Sequence, residues 1–329
     1  MAIPDAVPSR RRALWGTLLR LTVSVGLLAL LIHEVNFNNL VPAHRSLAGT
    51  LAFLVTGIAL MALTIVVGAR RWQLILEAFD ARVPLRRLVG HNFAGQFVGN
   101  VLPSTIGGDV LRVGRSAKDV GGDTAFASVV LDRFTGFVSL PVLIVVGFLA
   151  RPSLFSVPHS WIALLCAGGT VAVFGAILVI AGHPSIGGRF KQHENWMRYI
   201  GVLHQGIDQM RRRPRLALAT LAVAVGYQVI YTAGVYCAVH TIGLSTIPTA
   251  AILAYVPAIA IAQVVPISVA GFGLREGMLV LLFKPLGATT AQAVAVGLLW
   301  YAMVLIASLP GAPLVAIGDR RRVPAGGTA

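Results

Sequence analysis

The sequence contains few charged residues. Only 12% of its 329 residues are Asp, Glu, Lys or Arg, whereas a soluble domain usually has about 25%. Hydrophobic residues make up 56% and form several long apolar runs. This composition excludes an ordinary soluble globular protein and predicts a single all-α, polytopic integral membrane unit.

Residues and motifs that carry soluble chemistry are also scarce. The two cysteines, Cys166 and Cys237, lie inside apolar runs and give no disulfide framework. The sequence has no P-loop, no dinucleotide fingerprint, no H-E-x-x-H and no metal-ligand spacing among its histidines. We therefore expect no cofactor, no metal and no catalytic domain, so the chain is not expected to be an enzyme.

Acidic residues are fewer than basic ones, 12 against 27, and the net charge is +15. The basic residues cluster at the ends of apolar runs, where the positive-inside rule places them, so nucleic acid is not the expected partner. Arginines before the first run and after the last predict cytoplasmic tails at 1–13 and 318–329. The transmembrane domain is then 14–317, with a basic cytoplasmic loop at 183–215.

Six apolar runs are about long enough to cross a bilayer, which takes about 20 residues in a helix. They are 14–32, 47–68, 125–150, 161–181, 216–240 and 291–317. We interpret the first as a signal anchor that is retained, because no small-residue cleavage site follows it. Within the basic loop, Trp196, Ile200, Leu203, Ile207 and Met210 recur at three- and four-residue steps, which predicts an amphipathic helix at the inner interface.

Two shorter apolar segments, 88–102 and 250–265, are each followed by a copy of one motif. The copies, 102–112 and 265–275, align without a gap. Four pairs match: Pro103 with Pro266, Gly108 with Gly271, Leu111 with Leu274, and Arg112 with Arg275. We expect two re-entrant helical hairpins, one entering from each side, as an inverted repeat of the kind found in transporters. A layout of eight crossings is the alternative.

The turns of these hairpins need residues that break helices and free the backbone. The predicted turn residues are Pro103, Ser104, Gly107, Gly108, Pro266, Ser268, Gly271 and Gly273. Gly95 and Gly99 form a small pair that would let another helix approach closely. Arg70-Arg71-Trp72 is interpreted as an interfacial anchor, with phosphate binding as the alternative.

Six ionisable residues lie in or beside apolar segments, where each costs about 2.5–3.5 kcal/mol on insertion. They are Asp109, Arg112, Asp132, Arg133, Arg275 and Glu276. The first two can pair across one helical turn, whereas the adjacent residues of the other two pairs are each expected to find a partner elsewhere. Either these residues form salt bridges that hold the hairpins together, or they line a charged cavity for a headgroup. In the cavity, Arg112, Arg133 and Arg275 would grip phosphate, and Asp109, Asp132 and Glu276 would orient them, bind an amine or carry a coupling proton.

These motifs resemble the lysylphosphatidylglycerol synthase transmembrane family, over roughly residues 14–317. The matching pieces are Asn100-Val101-Leu102-Pro103-Ser104 with Gly107-Gly108-Asp109 and Arg112, then Asp132-Arg133, then Pro266-Ile267-Ser268 with Gly271, Gly273 and Arg275-Glu276-Gly277. A second glycine is usual where this chain has Ala270. The soluble domain that aminoacylates the lipid in two-part members is not found in this sequence, so synthesis of a lysyl-lipid is not expected.

The resemblance implies a flippase-like protein that moves an anionic phospholipid or lipid-linked precursor between leaflets of the bacterial inner membrane. An anionic membrane lipid is then the expected partner, together with a separate lipid-modifying enzyme. Two alternatives stay open: a scaffold that does not transport lipid but binds such an enzyme, and a membrane-embedded transferase acting on a polyprenyl-phosphate sugar.

Overall fold

The computed structural model describes residues 46–101, 107–182, 197–264 and 271–317. Within these ranges the fold is all-α. The predicted first span, both terminal tails, Trp196 and the turn residues Pro103, Ser104, Pro266 and Ser268 lie outside the described residues. The helices are α1 (Leu47–Ala78), α2 (Leu85–Val101), α3 (Gly107–Val120), α4 (Gly122–Ala150), α5 (Trp161–Gly182), α6 (Met197–Arg212), α7 (Pro214–Thr241), α8 (Thr249–Ala262), α9 (Leu274–Phe283), α10 (Thr290–Ser308) and α11 (Gly311–Ile317).

Five of the described helices are long and apolar enough to cross a membrane: α1, α4, α5, α7 and α10. They confirm five of the six predicted spans, and the chain is therefore a multi-pass membrane protein. Their outward faces carry large apolar side chains; Leu149 and Val179, for example, are each 71% exposed. Such a surface would be a liability in water but suits contact with lipid tails.

Helices α1 and α7 pack closely because small residues face each other. A Cβ added at Gly57 would lie 3.0 Å from the Cβ of Cys237 and 3.4 Å from the carbonyl oxygen of Gly234. Lipid tails are as apolar as leucine, so helices in a membrane associate through this kind of close fit. Helix α10 packs against this pair, and its Met303 side chain lies against Gly57 of α1.

Helices α2 and α3 form an antiparallel hairpin. At its open end Arg87 Nη1 lies 2.7 Å from Asp119 Oδ1. Near the closed end a Cβ at Gly95 would meet Arg112, and a Cβ at Gly108 would lie only 2.3 Å from the carbonyl oxygen of Gly95. The helix that approaches Gly95 closely is thus α3, the second helix of the same hairpin.

The glycines of the two copies serve different purposes. Gly271 and Gly273 have φ of 78° and 80°, which confirms the prediction of a turn closed to other residues. Gly107 and Gly108 instead begin α3 with helical backbone, so the same prediction was wrong for them. Gly108 is required by the close approach of α2, since any side chain there would enter the backbone of the facing helix.

The helices of both predicted hairpins are short. At 1.5 Å per residue, the 17 residues of α2 and the 14 of α3 reach about 25 and about 21 Å. The 14 residues of α8 and the 10 of α9 reach about 21 and about 15 Å. A bilayer core is about 30 Å thick, so none of these helices, over its described length, crosses it alone.

The predicted helix in the basic loop is present as α6. At its centre Gly206 is buried, and a Cβ there would meet the side chains of Leu131 and Phe79. The helix therefore packs against α4 and the end of α1. Next to it, Arg213 donates to both carboxylate oxygens of Asp80 at 2.8 Å, which joins the start of α7 to the α1–α2 turn.

Candidate functional site

A buried carboxylate, Asp132 of α4, lies at the centre of a charge cluster. Arg71 Nε donates to its Oδ1 at 2.7 Å, and Arg112 Nη2 donates to its Oδ2 at 2.8 Å. Asp132 is only 2% exposed and the two arginines 8% and 7%. Because taking charges out of water is costly unless each one is paired and hydrogen-bonded, the three side chains depend on one another.

The cluster continues from Asp132 toward the molecular surface. Arg112 Nη1 lies 3.5 Å from Asp109 Oδ1, one turn away in α3, as the spacing predicted. Asp109 Oδ2 in turn accepts from Nε of Arg133, whose side chain is about half exposed. Among the described residues, the cluster joins three arginines and two aspartates.

Sequence reasoning missed the position of Arg71 and Trp72. The interpretation of both as an interfacial anchor was wrong, since Trp72 is fully buried and Arg71 nearly so. Trp72 Nε1 donates to Ser128 Oγ at 2.9 Å, and the guanidinium of Arg112 lies 4.4 Å from the centre of the Trp72 ring. The available signal was Asp132 itself: a carboxylate within an apolar span needs a cation from another helix.

A polar cleft of about 190 Å³ opens beside the cluster. Gly95, Gly99 and Gly108 place no side chains in this cleft, and Arg112 lines it. The Nε atom of Arg112 is buried and has no hydrogen-bond partner among the described residues. The described residues that line the cleft are Asn92, Gly95, Gln96, Gly99, Asn100, Gly108, Asp109, Arg112 and Arg133.

An apolar groove of about 510 Å³ adjoins this cleft between α3 and α4. Its lining is Asp109, Val110, Val113, Gly114, Phe126, Val129, Val130 and Arg133. Asp109 and Arg133 line both cavities. The ion pair they form therefore marks the boundary between a polar compartment and an apolar one.

The second motif forms a separate charged pair. Arg275 donates to Glu276 Oε1 from Nε at 3.0 Å and from Nη2 at 2.6 Å. The prediction that these neighbours would diverge was wrong. Glu276 Oε2 accepts from Gly273 N at 2.7 Å and caps α9, and this bend of the side chain turns Oε1 toward Arg275.

Three aromatic rings enclose the guanidinium of Arg275. Its Cζ lies 5.5 Å from the ring centre of Phe272, 5.7 Å from that of Trp300 and 5.3 Å from that of Tyr301. Arg275 is 3% exposed and Glu276 is fully buried. A direct contact between Arg275 and a headgroup stays a prediction, and it requires a conformation in which this enclosure opens.

Helix α10 connects the two copies of the motif. Tyr301 Oη donates to the carbonyl oxygen of Asn100 at 2.8 Å, next to the end of α2. The same ring packs edge-on against Phe272, 4.5 Å between centres, just before α9 begins. The end of α2 and the start of α9 therefore meet on one side chain.

A row of aromatic residues also runs between the two charged centres. Arg71 lies over Tyr227, which stacks on Tyr231. The hydroxyl of Tyr231 accepts from Trp300 Nε1 at 3.0 Å, and Trp300 is one wall of the Arg275 enclosure. All six predicted charged residues thus belong to one connected interior, and three of them, Asp109, Arg112 and Arg133, line the polar cleft.

The family model for the lysylphosphatidylglycerol synthase TM region matches residues 17–311. The chain belongs to this family. A UPF0104 membrane protein of Methanothermobacter thermautotrophicus is similar to it, 26% identical over 270 residues that cover 74% of this chain and 77% of the relative. No solved structure gives a significant match.

In this member of the lysylphosphatidylglycerol synthase transmembrane family, several of the motif residues that carry the resemblance lie within the described interior. Asp109, Arg112 and the Asp132-Arg133 pair form the first centre. Asn100 lines the cleft and also meets Tyr301. The family motifs therefore describe one folded unit, because residues far apart in sequence are joined in it by hydrogen bonds and ion pairs.

Proposed function

We propose that the chain is a lipid transporter that moves an anionic lipid between the leaflets of the membrane. The phosphate would lie in the polar cleft, near Arg112 and Arg133, and an acyl or prenyl chain would lie in the adjoining apolar groove. The proposal rests chiefly on one observation: the Asp109–Arg133 pair borders both cavities. An amphiphile needs such a boundary, whereas a soluble metabolite would gain nothing from the groove.

The electrostatics of the cluster favour an anion. Its described residues include three arginines and two aspartates, and a buried guanidinium nitrogen of Arg112 lacks a partner among the described residues. The planar guanidinium group can donate two parallel hydrogen bonds to a phosphate. A bound phosphodiester would accept a hydrogen bond from this donor and bring a negative charge close to the arginines.

The transport cycle we propose uses an inverted repeat of two hairpins, α2–α3 and α8–α9, entering from opposite sides. Their short helices and the meeting of α2 and α9 at Tyr301 support this arrangement. In this proposal Arg275 and Glu276 belong to the element that moves, and they do not hold the phosphate in the present conformation. The protein would lie in the inner membrane with both termini in the cytoplasm.

A reconstituted system tests the proposal. Purified protein is placed in liposomes that contain phosphatidylglycerol with a fluorescent label on an acyl chain, and a membrane-impermeant reductant reports the accessible fraction. We expect lipid movement above that of protein-free liposomes, and a fall of about tenfold or more in Arg133→Ala, because a charge-assisted contact with phosphate contributes about 1.5–3 kcal/mol.

The matched control is Arg212→Ala. Arg212 is also an exposed arginine in an ion pair, at 2.9 Å from Asp208, but it lies on α6 and lines neither cavity. It should move lipid at the wild-type rate. Lipid movement that equals protein-free liposomes, or that falls equally in both variants, would overturn the proposal and leave a scaffold or transferase as the better reading.

A further inference from the structure

Two hydrogen bonds join the end of α2 to α10. Asn100 lies in the last turn of α2, and its carbonyl oxygen accepts from Tyr301 Oη at 2.8 Å. The side chain of Asn100 donates from Nδ2 to Ser308 Oγ at 3.2 Å. Tyr301 and Ser308 are two turns apart on α10, so both bonds come from the same face of that helix.

The hydroxyl of Tyr301 meets a specific need of α2. The carbonyl oxygens in the last turn of a helix have no partner within that helix. In the interior of a membrane protein such a carbonyl costs free energy unless another group donates to it. Tyr301 is that donor for Asn100, so the position of the α2 end depends on one hydroxyl of α10.

The ring of the same tyrosine closes one side of the Arg275 enclosure. It packs edge-on against Phe272, 4.5 Å between ring centres, and its centre lies 5.3 Å from Cζ of Arg275. Both of these residues belong to the second copy of the motif or to its turn. Tyr301 thus contacts the first copy through its hydroxyl and the second through its ring.

The phenol group is rigid, so the ring and the hydroxyl of Tyr301 move together. If the Arg275 enclosure opens on this side, the ring leaves Phe272 and Oη leaves the carbonyl oxygen of Asn100. This hydrogen bond is lost once the distance exceeds about 3.5 Å. In the opposite direction, a shift of the α2 end removes the bond that holds the ring in place.

We infer that Tyr301 is a positioning residue that couples the two copies of the motif, so that the Arg275 enclosure and the end of α2 change conformation together. Its role in transport rests on the proposed function: Asn100 also lines the polar cleft, and the coupling transmits the state of the second copy to that cleft. The coupling itself requires no lipid and can be measured without lipid movement.

Thiol labelling of the protein in nanodiscs measures this coupling. The reporter is a cysteine that replaces Gln96, which is exposed in the cleft one turn before Asn100, in a variant without Cys166 and Cys237. The perturbation is Phe272→Leu, which removes one ring of the enclosure. We expect it to raise the rate at which a hydrophilic maleimide labels position 96 by about fivefold, the effect of one weakened hydrogen bond.

Tyr301→Phe removes the coupling hydroxyl and keeps the ring. It should raise the labelling rate by itself, and Phe272→Leu added to it should raise the rate no further, because the two sites are then no longer connected. A residue with a structural role alone would give independent, additive effects.

Tyr255→Phe is the matched control. The hydroxyl of Tyr255 is also hydrogen-bonded, to Ser160 Oγ at 2.6 Å, but this bond leads to neither copy of the motif. The variant makes the same one-atom change in the same hairpin as Phe272. With Tyr255→Phe present, Phe272→Leu should keep its full effect on position 96.

A second perturbation and the lipid assay separate the outcomes. Trp300→Phe alters another wall of the enclosure and should show the same dependence on Tyr301, so the test does not rest on one variant. A perturbation with equal effects with and without the Tyr301 hydroxyl, or with no effect on position 96 when Tyr301 is intact, would overturn the coupling even where lipid movement is observed. Coupling that depends on Tyr301, in a protein that moves no lipid, would support this inference and overturn transport.

Discussion

Replacing Asp132 by asparagine should destabilise the protein more than any exposed charge change. The amide keeps the shape of the side chain but removes its charge, and one of its two polar atoms becomes a donor. Arg71 and Arg112 each donate to one oxygen of Asp132, at 2.7 and 2.8 Å. In Asp132→Asn at least one of them faces another donor, and both are left as buried cations. Removing one partner of a buried ion pair costs about 3–5 kcal/mol, and we expect a loss of this size.

The assay is equilibrium unfolding in mixed micelles, with denaturing detergent as the variable. Asp208→Asn is the matched control, since Asp208 accepts from Arg212 at 2.9 Å in an exposed pair one turn apart on α6. Such surface pairs contribute only about 0.3–0.5 kcal/mol. The two variants therefore make the same chemical change at a buried and at an exposed site.

A second comparison tests whether Asp132 acts through its arginines. The stability losses caused by substitutions within one ion network are not additive. The double variant Arg71→Leu with Asp132→Asn should therefore lose less stability than the two single variants together. If Asp132→Asn loses no more stability than Asp208→Asn, or if the double variant is additive, the account of the cluster as one interdependent unit is wrong.

Other parts of the structure make equally specific predictions. Gly108→Ala should lower the free energy of unfolding by about 1–3 kcal/mol, because its methyl group would lie 2.3 Å from a backbone oxygen of α2. Gly114→Ala in the same helix is the control, since a methyl group there meets no atom within 4 Å. Equal stability of the two variants would contradict the close packing of α2 against α3. Glu276→Gln should cost about 3–5 kcal/mol in the same assay by leaving a buried arginine uncompensated, and wild-type stability would show that the pair is not needed. Topology can be tested with single cysteines that replace Lys118 or Lys284 in a variant without Cys166 and Cys237. In intact cells a membrane-impermeant thiol reagent should label the cysteine at position 284 and not the one at position 118. Equal labelling of both would count against hairpins of opposite orientation.

Much of the helical layout could be predicted from the sequence, because the bilayer imposes it. The length of an apolar run sets the number of spans, and five of the predicted runs are confirmed as helices long enough to cross. The i, i+3 spacing of Asp109 and Arg112 also fixed their contact, since that geometry belongs to one helix. These features depend on local periodicity or on bilayer thickness, and both can be read from a single sequence.

The cluster itself could not be predicted from local pattern. Arg71 and Asp132 are 61 residues apart, and only the packing of α1 against α4 brings them together. The Arg275–Glu276 contact was missed for a different reason. Adjacent residues on a helix normally diverge, but Glu276 stands at the position from which a side chain turns back to cap the helix, and that local signal was available.

The most direct test of the central claim is a structure of the full chain in nanodiscs that contain phosphatidylglycerol. The account predicts a lipid whose phosphate lies within hydrogen-bond distance of Arg112 and Arg133. One acyl chain should follow the groove past Val113 and Val130 between α3 and α4. A lipid phosphate bound instead at another surface, with the acyl chains of the nearest lipid outside that groove, would contradict it.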